Sequence, residues 1–433
     1  MEQPVRRQRR ARRWVILALL LVLALGAGAI MWRPALAPRE QTASFDNALV
    51  ARGARLAALG NCAACHTADP ARPFAGGLPM ETPFGTVHST NITPDARTGI
   101  GQWSEEAFTR AMRRGVSRDG HLLYPAFPYN HYTRLTGDDV TALYAYFMTR
   151  TPLDAPATPN AMTFPFGFRP LVGFWNVLYL DDEPWQADPR QSPDWNRGAY
   201  IADTLAHCAA CHTPRTRLGG PDRKRFLDGG EAEGWYVPAL NARSPSPLPW
   251  TREHLAAYLR TGIAPGHAMA GGPMQTVVEN LRLAEPADTE ALATWIHSYL
   301  RQAPARTTPA TQLGSLPAPA ADGPDAARML LGYQVYANAC ARCHDAGRAA
   351  TSGTALQLQQ AVALYDPDPR SLIHIVRDGI VPPDGEPARW MPGFATLLSD
   401  EQTVALAAYL RRYGARAPDW PDLADDVRKA KQP

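Results

Sequence analysis

The chain has 433 residues and a formal net charge of +3, a length that admits two to four domains. Six arginines lie in the first thirteen residues; without them and Glu2 the body holds 38 basic against 40 acidic residues, which excludes nucleic-acid binding through a basic patch. The 41 prolines and 33 glycines suit a loop-rich fold with extended connections.

The chain opens with a basic cluster at 6–13 followed by an apolar run at 14–32, long enough to span about 28 Å as a helix. The pattern predicts a transmembrane anchor within residues 1–40, basic side in, with the remainder on the other face of the membrane. A cleaved signal peptide is the rival, since Ala35, Leu36 and Ala37 have the cleavage spacing. Pro38 directly after them, and the length of the apolar run, favour the anchor.

The pattern Cys-x-x-Cys-His then occurs three times, at 62–66, 208–212 and 340–344, and uses all six cysteines. Two cysteines three apart share one face of a helical turn, where Cys62 and Cys65, Cys208 and Cys211, and Cys340 and Cys343 can each form thioethers to the vinyl groups of one haem. The following residue, His66, His212 or His344, then offers its imidazole to the iron as proximal ligand. Zinc or a redox dithiol would be the alternative for one isolated copy. Zinc normally takes a second Cys/His pair, and none lies near any copy.

Each motif follows a short helical pattern containing a glycine, Gly53, Gly198 or Gly332. Glycine inside a helix costs about 1 kcal/mol against alanine, so another helix is expected to cross closely there. Each repeat ends in an amphipathic pattern in which Leu143, Leu292 or Leu406 precedes an aromatic by three residues, Tyr146, Trp295 or Tyr409. Ser399 and Gln402 form a capping box for the last of these helices. Between motif and final helix comes a basic-x-Gly step ending at Gly115, Gly262 or Gly379, and twelve residues later stand Phe127, Met274 and Met391. A thioether in that loop can reach the distal face of the iron, so Met274 and Met391 are expected to be sixth ligands rather than filler. Phe127 has no lone pair to give. For the first site His131, four residues on, is the favoured ligand, with an open iron, Met80, His121 and Met112 as alternatives.

These signals divide the chain into an anchor (1–40), a first repeat (45–150), an apolar connection (151–195), a second repeat (196–302), an Ala/Pro-rich linker (303–325), a third repeat (326–416) and a charged tail (417–433). The linker reads as semi-extended, so the third repeat is expected to be tethered. The connection, with MTFPFGFRPLVGFWNVLYL, is too apolar for a free linker and is expected to pack on the first two repeats or on a partner.

From about residue 45 to 415 the chain resembles the triple-haem cytochrome c subunits of membrane-bound bacterial dehydrogenases. The strings that carry this are GGLPMETPFGTVHSTNITPDARTGIGQW, LLYPAFPY, RGAYIADTLAHCAACHTPR and MPGFATLLSDEQTVALAAYLRRYG. The resemblance implies a mostly α fold, three class I cytochrome c-like domains after an N-terminal transmembrane helix, and three covalently bound haem c groups. It implies electron transfer from a catalytic subunit of molybdenum, flavin or quinoprotein type, with a small iron–sulfur or accessory subunit, to membrane quinone or a terminal oxidase. The expected place is the periplasmic face of the bacterial inner membrane. Flavin-linked members usually carry Met where this chain has Phe127; that difference, with AEGWYVPALN and PLPW, looks more like the molybdenum-linked group acting on aldehydes or N-heterocycles.

No dinucleotide-binding GxGxxG after a strand and no G-x-S-x-G is present, so catalysis by the chain alone is not expected. The rival function is a peroxidase-like haem enzyme acting at an open first haem.

Overall fold

A computed structural model describes residues 14, 15, 18, 26, 28, 33–39, 44–301, 303, 315–345, 356–381 and 391–431. The chain forms two compact units, the first made of residues 1–50 and 66–184, the second of 51–65 and 185–433. Most of the apolar run at 14–32 lies outside the described residues. Among the described residues no helix is long and apolar enough to cross a membrane.

The chain enters through α1 (Asn47–Leu59) and the motif helix α2 (Cys62–His66). In the first unit, β1 (Pro79–Thr82) and β2 (Gly85–His88) form an antiparallel hairpin. Helix α3 (Glu105–Arg114) starts where the Ser104 side chain accepts from Ala107 N, and stops at Gly115 in the left-handed conformation (φ 60°). A Cβ on Gly115 would also collide with the Tyr129 ring, so turn geometry and packing both demand glycine. The short helix α4 (Tyr129–Tyr132) leads to α5 (Gly137–Met148), capped by Thr136 and burying Val140, Leu143, Tyr144 and Phe147.

The apolar connection packs on this first unit. Its strand β3 (Ala161–Met162) pairs with β2, and in α6 (Leu171–Tyr179) Asn176 Oδ1 accepts a 2.6 Å hydrogen bond from the buried Tyr129 hydroxyl. Phe164, Phe168, Val177 and Leu178 nevertheless remain exposed.

In the second unit, α7 (Pro193–Asp203) crosses α11 (Pro286–Leu300), and α12 (Ala326–Val335) crosses α15 (Asp400–Tyr409). Two of the three expected glycine crossings, at Gly198 and Gly332, are met. A Cβ on Gly198 would lie 2.0 Å from Ala291 O, and one on Gly332 would lie 2.2 Å from Ala405 O. Leu292, Trp295, Leu406 and Tyr409 are essentially inaccessible, and the capping box at Ser399 and Gln402 is formed as expected.

Between these pairs lie the hairpin β4 (Gly230–Ala232) and β5 (Trp235–Val237), helix α9 (Arg252–Thr261), the small ladder β6 (Ile263–Ala264) and β7 (Ala268–Met269), and α10 (Pro273–Leu281); the second motif forms α8 (Ala209–His212). The third repeat adds the motif helix α13 (Ala341–His344) and α14 (Arg370–Asp378).

The expectation of a merely tethered third repeat needs correcting. Helix α14 sits directly on the β4–β5 hairpin: Arg370 pairs with Glu231 at 2.7 Å, Ser371 Oγ donates to Tyr236 O at 2.7 Å, and His374 stacks on Trp235 with ring centroids 4.9 Å apart. The linker's end is also packed, with Leu316 buried and Pro317 O accepting from the Tyr409 hydroxyl at 2.8 Å. The charged tail is not idle either. It forms α16 (Leu423–Lys429), which buries Leu423 and Val427, and Trp420 Nε1 donates to Asp366 O.

Candidate haem-binding site

Each Cys-x-x-Cys-His sits on one helical turn. The first two copies follow residues in the left-handed conformation, Asn61 (φ 52°) and His207 (φ 37°), which break the preceding helix and let the motif turn away from it. In the third copy a π turn at Tyr336–Cys340 runs straight into α13. None of the six cysteines is paired in a disulfide. Burial pushes the Cys62, Cys208 and Cys340 thiols up to about 12. Among the described residues no group of three or more His, Cys, Asp or Glu side chains is gathered to hold a metal ion.

The three histidines share one arrangement. His66 Nδ1 lies 2.7 Å from Thr90 O, His212 Nδ1 lies 2.8 Å from Pro238 O, and His344 Nδ1 lies 2.8 Å from Leu356 O. A carbonyl only accepts, so each Nδ1 carries the proton and each Nε2 presents its lone pair. This is the outer-shell device that orients a metal-ligating imidazole. Burial lowers all three imidazoles, His212 to about 4, which keeps them neutral and able to ligate. Two thiols on one helical turn, at least one of them partly buried, and an oriented Nε2 fit a covalently attached haem. Thr90, Pro238 and Leu356 were not legible in the sequence, because they act through backbone carbonyls that any residue type could supply.

On the expected distal side, the basic-x-Gly steps are helix ends. Gly115, Gly262 and Gly379 close α3, α9 and α14 by donating to Ala111 O, Tyr258 O and Ile375 O. The residue after each glycine then opens a small ladder: Val116 faces Leu122, Ile263 faces Met269, and Ile380 faces Met391. The equal spacing of twelve therefore covers two different places. Met391 stands on the ladder, hydrogen bonded in both directions to Ile380 (2.9 and 3.0 Å), whereas Met274 lies beyond its ladder, in the first turn of α10 after Pro273. Met269, which the sequence pattern does not single out, holds the ladder place in the second repeat.

Phe127 packs on Tyr129 and Tyr132. Helix α4 carries His131 half-buried beside that aromatic group, with its backbone N donating to Pro128 O.

The second unit also joins the first motif to the second repeat. Asn280 of α10 donates to Asn61 Oδ1, and Gly60 lies against Leu205.

A mostly helical fold bearing attachment turns with carbonyl-anchored histidines defines a multi-haem c-type cytochrome. The cytochrome c family model matches residues 50–151 and 196–299, and that of cytochrome c oxidase, cbb3-type, subunit III matches residues 327–410. The chain is 41% identical to one of the subunits of nicotinate dehydrogenase from Pseudomonas putida over 94% of its own length, and spans 34% of that longer relative. It is 35% identical to the fructose dehydrogenase cytochrome subunit of Gluconobacter japonicus, covering 90% of this chain and 85% of the relative. It is 36% identical to the gluconate 2-dehydrogenase cytochrome c subunit of Pantoea cypripedii, covering 84% and 86%. The chain belongs to the family of cytochrome c subunits of dehydrogenases.

Proposed function

We propose that the protein binds three covalent haems and relays electrons from a dehydrogenase catalytic subunit to the respiratory chain, at quinone or a terminal oxidase, on the periplasmic face of the inner membrane. The observation that carries this reading is the threefold arrangement in which a Cys-x-x-Cys-His turn is backed by an Nδ1-to-carbonyl hydrogen bond. Bound haem supplies the ferric/ferrous couple. The chain's part is to fix the imidazoles, bury the attachment edges and set the sixth ligands. Met274 and Met391 serve the second and third sites, and His131 serves the first. Three class I cytochrome c-like domains behind an N-terminal anchor complete this reading.

The catalytic partner we assign is a molybdenum-type hydroxylase acting on an N-heterocycle, with a small iron–sulfur subunit. Support comes from the name of the 41%-identical relative, a nicotinate dehydrogenase component, and from Phe127 in place of the methionine usual in flavin-linked members. A flavin or quinoprotein sugar or alcohol dehydrogenase is the alternative supported by the fructose and gluconate relatives.

The test is to purify the protein with whatever co-purifies from the membrane, and to weigh and titrate it. Three haems per chain, reduced by nicotinate only when the partner is present, are expected. A mass matching fewer haems, or reduction by substrate without a partner, would overturn the assignment.

A further inference from the structure

The β4–β5 hairpin touches the second repeat's own site on two sides and the third repeat on another. On the proximal side, His212 Nδ1 bonds to Pro238 O, the residue that follows β5. On the methionine-loop side, a Cβ on Gly272 would stand 2.4 Å from Trp235 Cε2, so the indole lies flush on the backbone two residues ahead of Met274. Gly271 in the same loop faces the Ile380 side chain at 3.6 Å from a built Cβ, and Ile380 is hydrogen bonded in both directions to Met391. Across the hairpin, Trp235 stacks nearly parallel on His374 (interplanar angle 19°).

A bare docking contact needs only apolar cover and an ion pair, and Arg370 with Glu231 already supplies the latter. The indole adds a polarizable ring in contact with both the loop that carries Met274 and the helix that ends two residues before Ile380. We propose that Trp235, with the His374 ring stacked on it, is the bridging group through which the second and third haems exchange electrons. This rests on the relay reading above. In each transfer one iron is oxidised from ferrous to ferric and the other reduced from ferric to ferrous. No bond forms or breaks, no proton moves, and Trp235 acts as medium without being oxidised. Trp235 is thus a positioning and coupling residue, not a ligand.

The experiment delivers one electron by pulse radiolysis to the fully oxidised holoprotein and follows its redistribution among the haems, the α-bands of each being assigned by redox titration of the same variant. W235L is expected to retain three haems and unchanged midpoint potentials while slowing the exchange between second and third haem several-fold; W235F, which keeps a ring, should restore part of the rate. R370Q removes the ion pair and leaves the stack, and should leave that exchange at the wild-type rate. The proposal is overturned if W235L exchanges as fast as the wild type, or if R370Q is slowed as much as W235L, which would make docking the cause. A wild-type protein with no redistribution among its haems would overturn the relay reading and this proposal together, whereas loss of the W235L effect alone leaves the relay standing.

Discussion

Gly198 of α7 lies so close to Ala291 of α11 that any side chain carbon on it would stand 2.0 Å from the Ala291 carbonyl oxygen. The approach is backbone to backbone, so a flexible side chain cannot yield to make room. Gly198→Ala should destabilise the second unit by about 1–3 kcal/mol, the usual cost of overpacking, seen as a lower denaturation midpoint of the holoprotein. Gly332→Ala should do the same at Ala405. An unchanged midpoint would mean that the helix pairs can slide apart freely.

Met391→Ala should lower one midpoint potential, because thioether ligation favours the ferrous state. The change should be on the order of 0.1 V, well inside the roughly 0.8 V that axial ligands span. The second repeat offers two methionines, and the pair Met274→Ala and Met269→Leu separates them. The expected outcome is a lowered potential for Met274→Ala and none for Met269→Leu; the reverse would assign the ladder methionine as ligand.

His131→Ala should convert one low-spin haem to high spin in the low-temperature electron spin resonance of the oxidised protein. Phe127, packed on Tyr129 and Tyr132, cannot take its place. A spectrum unchanged at every haem would remove His131 and leave Met80, His121, Met112 or an open iron, the last being the state in which peroxide chemistry at the first haem becomes testable.

The His267 ring is buried against Trp250, with centroids 3.9 Å apart, and its Nε2 lies 3.4 Å from Pro249 O. Burial lowers it to about 4, with His254 also pushing in that direction. The unfolded chain therefore binds a proton on this residue between about pH 6.5 and pH 4 that the folded chain does not. The sign follows: stability is full above pH 6.5 and falls as the pH drops through that window, by at most about 3 kcal/mol. His267→Gln should flatten this part of the pH–stability curve, measured by denaturant titration, and a slope identical to the wild type would exclude His267 as its source.

The helical Cys-x-x-Cys-His turns, the glycine crossings at Gly198 and Gly332, the terminal-helix stripes and the cap at Ser399 were all legible in the sequence. Each depends on residues within one turn or on a property, such as the missing Cβ of glycine, that belongs to the residue type itself. The anchor expected at 14–32 falls mostly outside the described residues. What only the tertiary structure decided are contacts made by backbone atoms or between distant segments. The carbonyls of Thr90, Pro238 and Leu356 hold the three imidazoles, yet a carbonyl carries no residue signature. The shared count of twelve placed Met274 and Met391 in one register, but a loop can spend residues inside its ladder or after it, and only hydrogen bonding shows that Met269 is the residue facing Ile263. Likewise, an Ala/Pro-rich linker leaves α14 free to move away. The complementary faces of Arg370, Ser371 and His374 against Glu231, Tyr236 and Trp235 decide that it does not, because stability comes from surfaces assembled in space rather than from the chain that joins them.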